Sequence, residues 1–257
     1  MRDNLLKQKL NAGQTVFGCF LRFADAEVAE FLSLQGFDFL VLDAEHGVME
    51  PRDCQHMARA ADLHDVTPLV RVPTNNPTHL LRYLDTGAHG AHVPMVNSAE
   101  QAEAAVQAIK YQPRGRRGLA GARAADYGQR LPLDEYTRFA NEQTLVTVQI
   151  ETIAAVEALP EIVKVDGVDV IFVGPTDLSN SLGVTGQSQH PKMKQTLDRI
   201  VELVVESDKT LAIMVPGAEA ARTWVQRGAR YITVTCEAML AAACRPYLAS
   251  VRDRASV

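Results

Sequence analysis

Two acidic residues stand at the ends of apolar segments, where they could hold a divalent cation. Glu151 ends the run "TLVTVQIE" (144–151), and Asp177 comes shortly after "VDVIFVG" (168–174). If both runs are neighbouring parallel strands, the two carboxylates meet at one edge, and hard oxygen donors with a few waters suit Mg²⁺ or Mn²⁺. In the structural alternative, Glu151 caps or salt-bridges the following helix and Asp177 caps a helix that begins near Leu178. The spacing of the two residues favours neither interpretation over the other.

A second group of polar side chains follows other apolar segments. The run "FDFLVLD" ends in Asp43 and is followed by Glu45 and His46, while Arg71 lies in the apolar run "TPLVRV". A guanidinium there offers a forked donor to a carboxylate or an oxyanion, although pairing with a neighbouring carboxylate explains it equally well. His46 has the chemistry of a general acid or base, and the alternative is an ordinary loop histidine.

The turn Gly174-Pro175-Thr176-Asp177 leads from an apolar segment into a predicted helix. Free backbone N–H groups and the helix dipole at such a point can hold a small anion, for example a carboxylate. The alternative is a plain connection between a strand and a helix.

The positions of these residues depend on a regular alternation of elements. Short apolar segments predict eight strands buried on both faces, at residues 15–21, 37–43, 67–72, 90–95, 144–151, 168–174, 210–216 and 231–235. Apolar residues at helical spacing predict helices in residues 26–36, 54–64, 78–87, 99–110, 192–207, 218–228 and 237–249.

This alternation, with no change of composition that would mark a linker, predicts an α/β fold, a single (β/α)8 TIM barrel over residues 1–257. A doubly wound sheet that binds nucleotides needs a glycine-rich turn after its first strand, and "FLRFADAEV" has none. The chemistry of such barrels lies at the C-terminal ends of the strands, where Arg22 after the first strand and Gln149 on the fifth join the residues above. We expect segment 112–128 on the same face, either as a lid that meets an acidic substrate or as a solvated loop.

The composition narrows the classes of molecule that the protein is expected to bind. The formal net charge of −5 and the scattered basic residues argue against nucleic acid and favour small molecules. The chain has neither a signal-peptide core nor a run of roughly 18 apolar residues, so we expect no membrane segment and a cytoplasmic location. Its four cysteines form no CxxC pair, which fits a reducing compartment.

Several chemistries are disfavoured. His89 and His92 lie three apart on a predicted strand, so their side chains point to opposite faces and do not form a metal pair. The segments after strands 7 and 8 lack the features of a phosphate site. The lysines fall in predicted helices, helix ends or entering segments, which disfavours an imine mechanism.

The motifs "FDFLVLDAEHG", "LVRVP", "LLRYLDTGAHGAHVPMV", "YQPRGRRG", "VQIE" and "VGPTDLSNSLG" resemble, in order and spacing, the HpcH/HpaI aldolase family of metal-dependent pyruvate aldolases. The resemblance covers nearly the whole chain. It implies a (β/α)8 barrel that uses a divalent metal to cleave a 4-hydroxy-2-oxo acid into pyruvate and an aldehyde.

The resemblance also implies which residues bind the metal and the substrate. Glu151 and Asp177 would hold Mg²⁺ or Mn²⁺, with Co²⁺ as a further option, and the metal would bind the 2-oxo acid. Gln149 would contact the substrate, and the backbone of Gly174, Pro175 and Thr176 up to Asp177 would bind the pyruvate carboxylate.

Catalytic roles follow from the same resemblance. Arg71 would contact the ketone or enolate oxygen, and His46 would transfer protons through a water. Asp43 and Asp85 would support that histidine, although Asp85 lies late in a predicted helix rather than at a strand end.

The sequence departs from the family pattern at Thr176, where alanine is common, and "LAGARAADYG" matches no particular substrate subgroup, so the aldehyde stays open. Family members are usually hexamers that exchange the last helix, and "AMLAAAC" is compatible with such packing. Two alternatives to the aldolase remain at this point: a carbon-carbon lyase acting on CoA thioesters, and a non-catalytic barrel that binds a 2-oxo acid.

Overall fold

The computed structural model describes residues 1–252, so the last five residues of the predicted domain lie outside the described part. Eight parallel strands form a closed barrel in sequential order, and the last strand pairs with the first. The strands are β1 Val16–Leu21, β2 Phe39–Asp43, β3 Thr67–Arg71, β4 Gly90–Val93, β5 Leu145–Ile150, β6 Val170–Val173, β7 Thr210–Met214 and β8 Tyr231–Thr235. The predicted TIM barrel is confirmed, and each predicted strand overlaps an observed one.

The helices are α1 Leu5–Asn11, α2 Ala26–Ser33, α3 Pro51–Asp62, α4 Pro77–Leu84, α5 Ala99–Ile109, α6 Leu133–Gln143, α7 Ile153–Ile162, α8 Pro175–Ser181, α9 Pro191–Val205, α10 Ala218–Gln226 and α11 Cys236–Arg252. The seven predicted helical segments omitted α1, α6 and α7, and α8 was expected only as a helix start after the Gly174 turn. Helix α7 contains Pro160, which weakens a helical pattern, and α1 is short. Within residues 1–252, no helix is both long and apolar enough to cross a membrane.

Side chains that alternate along the strands fill the two sides of the sheet. One set, including Phe20, Phe39, Phe172 and Tyr231, packs inside the barrel, and the other set packs against the helices. His92 also points inward and shares a 2.7 Å hydrogen bond with the Tyr231 hydroxyl. His89 instead lies 3.5 Å from Asp62, so the two side chains point to different surroundings, as their spacing on a strand predicts.

Segment 112–128 lies at the N-terminal end of the barrel, so its predicted position on the catalytic face is wrong for this chain. Arg123 donates to the Thr86 carbonyl at 2.8 Å and pairs with Asp62 at 2.7 Å. Both partners lie at the ends of helices that run back towards the strand N-termini. The segment follows α5 rather than a strand, and a connection from helix to strand belongs to the face opposite the mouth.

Gly18 provides a test of the interior packing. A Cβ at this position would overlap the Phe39 ring, which occupies the space above the glycine inside the barrel. Gly18→Ala should therefore lower the free energy of unfolding by about 1–3 kcal/mol, the usual cost of overpacking a core. Urea denaturation measures the change.

Gly118→Ala is the matched control, because its new Cβ would lie 3.4 Å from Leu81 in ordinary van der Waals contact. We expect this exposed position to change stability by less than about 0.5 kcal/mol. Equal stability of the two variants would show that the Gly18–Phe39 contact does not constrain the barrel.

Candidate functional site

A cavity of about 280 Å³ opens at the C-terminal ends of the strands. It gathers most of the residues singled out in the sequence, which arrive from β2, β3, β5 and the start of α8. These are Asp43, His46, Arg71, Gln149, Glu151, Gly174, Pro175, Thr176 and Asp177. Because these residues lie at the ends of four different parallel strands, β2, β3, β5 and β6, the closed barrel brings them together.

Arg71 is buried at the cavity wall and held by two carboxylates. Its Nε and Nη2 donate to the two Asp43 oxygens at 2.9 and 2.6 Å, a bidentate pair between register partners of β2 and β3. Nη1 lies 3.2 Å from a Glu45 oxygen, and the guanidinium carbon stands 5.1 Å from the Phe20 ring centroid. Burial by itself lowers the pKa of Arg71, but Asp43 and Glu45 outweigh it and raise that pKa above its ordinary value. The guanidinium is therefore a fixed positive charge.

Asp43 also shapes the loop that carries His46. Its Oδ1 accepts the backbone N–H groups of Glu45 and His46, each at 3.2 Å. Asp43 therefore supports His46 through the backbone, while the exposed imidazole remains at the cavity. Burial raises the pKa of Glu45, the charges of Asp43 and Asp177 add to the rise, and Arg71 opposes it. The sequence left the role of Glu45 open. In the structure, Glu45 is the second carboxylate that pairs with Arg71.

The structure does not bring Asp85 to His46 within one chain. Asp85 is the C-cap of α4 and forms a 2.7 Å ion pair with Arg117. The C-terminus of α4 leads into the start of β4, at the end of the barrel opposite the cavity. The predicted support of His46 by Asp85 is therefore wrong for the single chain, because the residue ends a helix rather than a strand.

Glu151 is almost fully buried, and Glu151 Oε1 accepts the Met95 backbone N–H at 2.7 Å. Burial raises the pKa of Glu151 to about 7; the Met95 N–H opposes this rise, while the charges of Glu45 and Asp177 add to it. Crowded carboxylates of this kind are stabilised by a cation. The geometry therefore fits a hard divalent ion.

Glu151 and Asp177 do not act as helix caps, which was the alternative to metal binding. Thr152 caps α7 by accepting the Ala155 N–H, so Glu151 is not the cap. Gly174 is the N-cap of α8, which places Asp177 in the first turn of that helix. Among residues 1–252, no three His, Cys, Asp or Glu side chains converge on one point. A metal here would take two protein carboxylates and keep its other positions for water or substrate.

The turn from β6 into α8 requires a glycine. A Cβ at Gly174 would lie 2.5 Å from Glu151 Oε2, so only glycine leaves room for this carboxylate. Pro175 has no N–H, and the N–H of Gly174 is bonded to the Ile150 carbonyl at 3.2 Å. Backbone donors for an anion in this turn are therefore those of Thr176 and Asp177.

Four other wall residues, Phe20, Phe172, Met214 and Thr235, were not identified as functional from the sequence. Arg22, which the sequence places at the end of strand 1, lines the cavity with them. The aromatic residues look like ordinary core in a strand, and only their inward position, alternating with helix-facing neighbours, could have assigned them to the cavity. The Gln149 side-chain oxygen is buried and has no hydrogen-bond partner in the described residues, which leaves it available to a ligand.

The chain is similar to proteins of known type over almost its whole length. Residues 16–243 match the family model of HpcH/HpaI aldolase/citrate lyase. The hydroxypyruvate/pyruvate aldolase of Roseobacter denitrificans is 38% identical over 236 residues, which are 91% of each chain. A 4-hydroxy-2-oxo-heptane-1,7-dioate aldolase of Escherichia coli is 34% identical, with 96% of this chain and 94% of the relative covered.

A solved structure shows the same fold. The crystal structure of a protein of this family from Burkholderia cenocepacia superposes with a TM-score of 0.91 at 34% identity, covering 97% of this chain and 99% of the other.

The buried pair of Arg71 and Asp43 makes a stability prediction. Asp43→Asn removes the negative charge and places an amide donor against the guanidinium, so the free energy of unfolding should fall by about 1–3 kcal/mol. Chemical denaturation measures the loss. Asp134→Asn is the control, because it breaks the exposed ion pair with Arg138 (3.3 Å) and should cause no measurable change. Equal stability of Asp43→Asn and the parent protein would contradict the structural role of the pair.

Proposed function

Because the chain belongs to the HpcH/HpaI aldolase/citrate lyase family, we propose that it is a divalent-metal-dependent aldolase that reversibly cleaves a 4-hydroxy-2-oxo acid into pyruvate and an aldehyde. The observation that carries this proposal is the convergence of a buried arginine, a carboxylate pair and a histidine on one cavity. Retro-aldol cleavage leaves negative charge on the pyruvyl carbon and oxygen, and fixed positive charge stabilises such an enolate.

Glu151 and Asp177 would hold the metal, Mg²⁺ or Mn²⁺ before Co²⁺, because their oxygen donors suit hard cations. When bound, such an ion supplies Lewis-acid stabilisation to the 2-oxo group. The Gly174 turn keeps the Glu151 carboxylate in place, and the Met95 N–H fixes its other oxygen.

Arg71 stabilises the enolate oxygen directly. Asp43 takes Nε and one N–H of Nη2, so the guanidinium cannot rotate and its remaining donors are fixed at the cavity wall. A donor fixed before the reaction needs no reorganisation when the charge develops. The N–H groups of Thr176 and Asp177 bind the pyruvate carboxylate, and Gln149 contacts the substrate.

His46 moves the proton of the 4-hydroxyl group, through a water. Its loop is tied to Asp43 by two backbone N–H groups, which places the imidazole beside the arginine and the carboxylates. In cleavage, the base takes the hydroxyl proton as the bond between C3 and C4 breaks. In the reverse direction, the same group returns that proton to the new alkoxide.

The structure disfavours the CoA-thioester alternative. The cationic cluster that the sequence offers to a nucleotide, residues 114–117, follows α5 at the opposite end of the barrel. Within it, Arg117 is buried and paired with Asp85. No specific contact at the cavity favours a CoA ester, and a binding test with such an ester would separate the two functions.

We also propose that the protein is a homo-oligomer, with a hexamer as the expected state from the family resemblance. Support comes from α11, which leaves large apolar side chains exposed that a second copy could bury. These are Met239, Leu240, Tyr247, Leu248 and Val251.

Metal removal tests the proposed chemistry. Treatment with a chelator should abolish cleavage of a 4-hydroxy-2-oxo acid, and Mg²⁺ or Mn²⁺ should restore it, because the ion would supply the Lewis-acid stabilisation of the 2-oxo group. Pyruvate release measured with a coupled dehydrogenase gives the rate. Full activity in excess chelator would overturn the metal dependence.

Arg71→Gln tests the enolate contact. Loss of this donor should lower kcat about 10²- to 10³-fold, as expected for removal of a preorganised oxyanion donor. Steady-state kinetics measures this, and circular dichroism shows whether the variant is folded. Arg71→Lys, which keeps the charge without the fork, should retain more activity than Arg71→Gln. Turnover equal to the parent enzyme in Arg71→Gln would remove Arg71 from the chemistry.

A further inference from the structure

One side of the cavity is not used by the proposed pyruvate contacts. Arg71, Glu151 and Asp177 come from β3, from just after β5 and from the turn after β6, and in the sequentially closed barrel β1 lies opposite β5. The side formed by β7, β8 and β1 presents Met214, Thr235 and Arg22. Since pyruvate and the metal take the first side, the aldehyde half of the substrate extends towards this second side.

Arg22 is held in place on this second side of the cavity, but not all of its N–H donors are hydrogen-bonded. Arg22 directly follows β1, and its Nε donates to Glu237 Oε1 at 2.9 Å. The side chain is 42% exposed, and within residues 1–252 the two terminal nitrogens have no protein acceptor. The second Glu237 oxygen is buried, so the carboxylate orients the arginine through one bond only. The two terminal nitrogens, Nη1 and Nη2, can therefore donate hydrogen bonds to both oxygens of a carboxylate.

The other charges of the cavity are already committed. The Arg71 guanidinium is paired with Asp43 and Glu45, and the Glu151 and Asp177 carboxylates are assigned to the metal. Phe20, which lies two residues before Arg22 on β1 and contacts Arg71, adds an apolar surface to the cavity wall. This arrangement suits a short methylene chain that ends in an anionic group.

We propose that Arg22 is a specificity-determining residue that binds a carboxylate at the far end of the aldehyde half of the substrate. The inference rests on the proposed aldolase function and names the substrate class of that site. Arg22 is not assigned to enolate formation, because β1 lies opposite β5, the strand that leads into Glu151, and because Arg71 already supplies the cationic donor.

The test compares two aldehydes of matched shape in the aldol addition to pyruvate with Mg²⁺ present. One is 4-oxobutanoate and the other is its neutral methyl ester. The parent enzyme should prefer the carboxylate, expressed as the ratio of the two kcat/KM values. Arg22→Gln should reduce this ratio about 10- to 100-fold through a higher KM for 4-oxobutanoate, the loss expected for a charge-assisted hydrogen-bond pair.

Two further variants and a control sharpen the test. Glu237→Gln keeps an acceptor for Nε but removes a competing charge, so it should raise the ratio. Arg22→Lys keeps the charge without the fork, so its ratio should lie between those of the parent enzyme and Arg22→Gln, and it serves if Arg22→Gln does not fold. Arg199→Gln, on the exposed face of α9, removes an arginine elsewhere and should leave the ratio unchanged.

An independent readout separates this inference from the proposed function. Exchange of the pyruvate methyl protons in D₂O, followed by NMR without aldehyde, reports enolate formation alone. If the parent enzyme neither exchanges these protons nor adds aldehydes, both the proposed function and the inference are overturned. If it does both but shows no preference for 4-oxobutanoate, or if Arg22→Gln keeps the parent ratio, only the role of Arg22 is overturned.

Discussion

The bidentate pair between Arg71 and Asp43 is the interaction on which the site depends. It joins register partners of adjacent strands, so the barrel itself sets its geometry. A buried guanidinium is costly unless it is paired and hydrogen-bonded, and Asp43 satisfies two of its nitrogens while Glu45 lies close to the third. Asp43 Oδ1, which accepts a hydrogen bond from Arg71 Nε, also accepts one from the backbone N–H of His46 and so fixes the loop that carries this histidine. One carboxylate therefore fixes both the cationic donor and the position of the residue that we propose for proton transfer.

Room for polar groups at the end of an apolar barrel comes from small residues placed beside large ones. Inside the barrel, Gly18 leaves space for the Phe39 ring, and at the mouth Gly174 leaves space for the Glu151 carboxylate. Burial of that carboxylate raises its pKa to about 7, because its charged form loses contact with water, and the nearby charges of Glu45 and Asp177 add to this cost. A divalent cation would offset this cost, so the crowding of the carboxylates and the proposed chemistry have the same origin.

Much of this arrangement could be predicted from the sequence, because a strand buried on both faces leaves a clear apolar run. Asp43, Arg71 and Glu151 were identified by their position at the ends of such runs, and the structure places all three at the cavity. The prediction for segment 112–128 was wrong, because the polarity of a loop does not show which end of the barrel it occupies. That depends on whether a helix or a strand precedes it, and α5 does so here. The sequence placed Arg22 at the end of a strand but assigned it no role, since an exposed arginine beside a strand is common and its partner Glu237 lies far along the chain.

The most direct test of the account is whether the protein forms the pyruvate enolate with the help of Arg71. The measurement is the rate of deuterium incorporation into the pyruvate methyl group in D₂O with Mg²⁺, followed by NMR and compared between the parent protein and Arg71→Gln. The account predicts metal-dependent exchange by the parent protein and a large loss of that exchange in Arg71→Gln. Absence of exchange in the parent protein, or an equal rate in the two proteins, would contradict it.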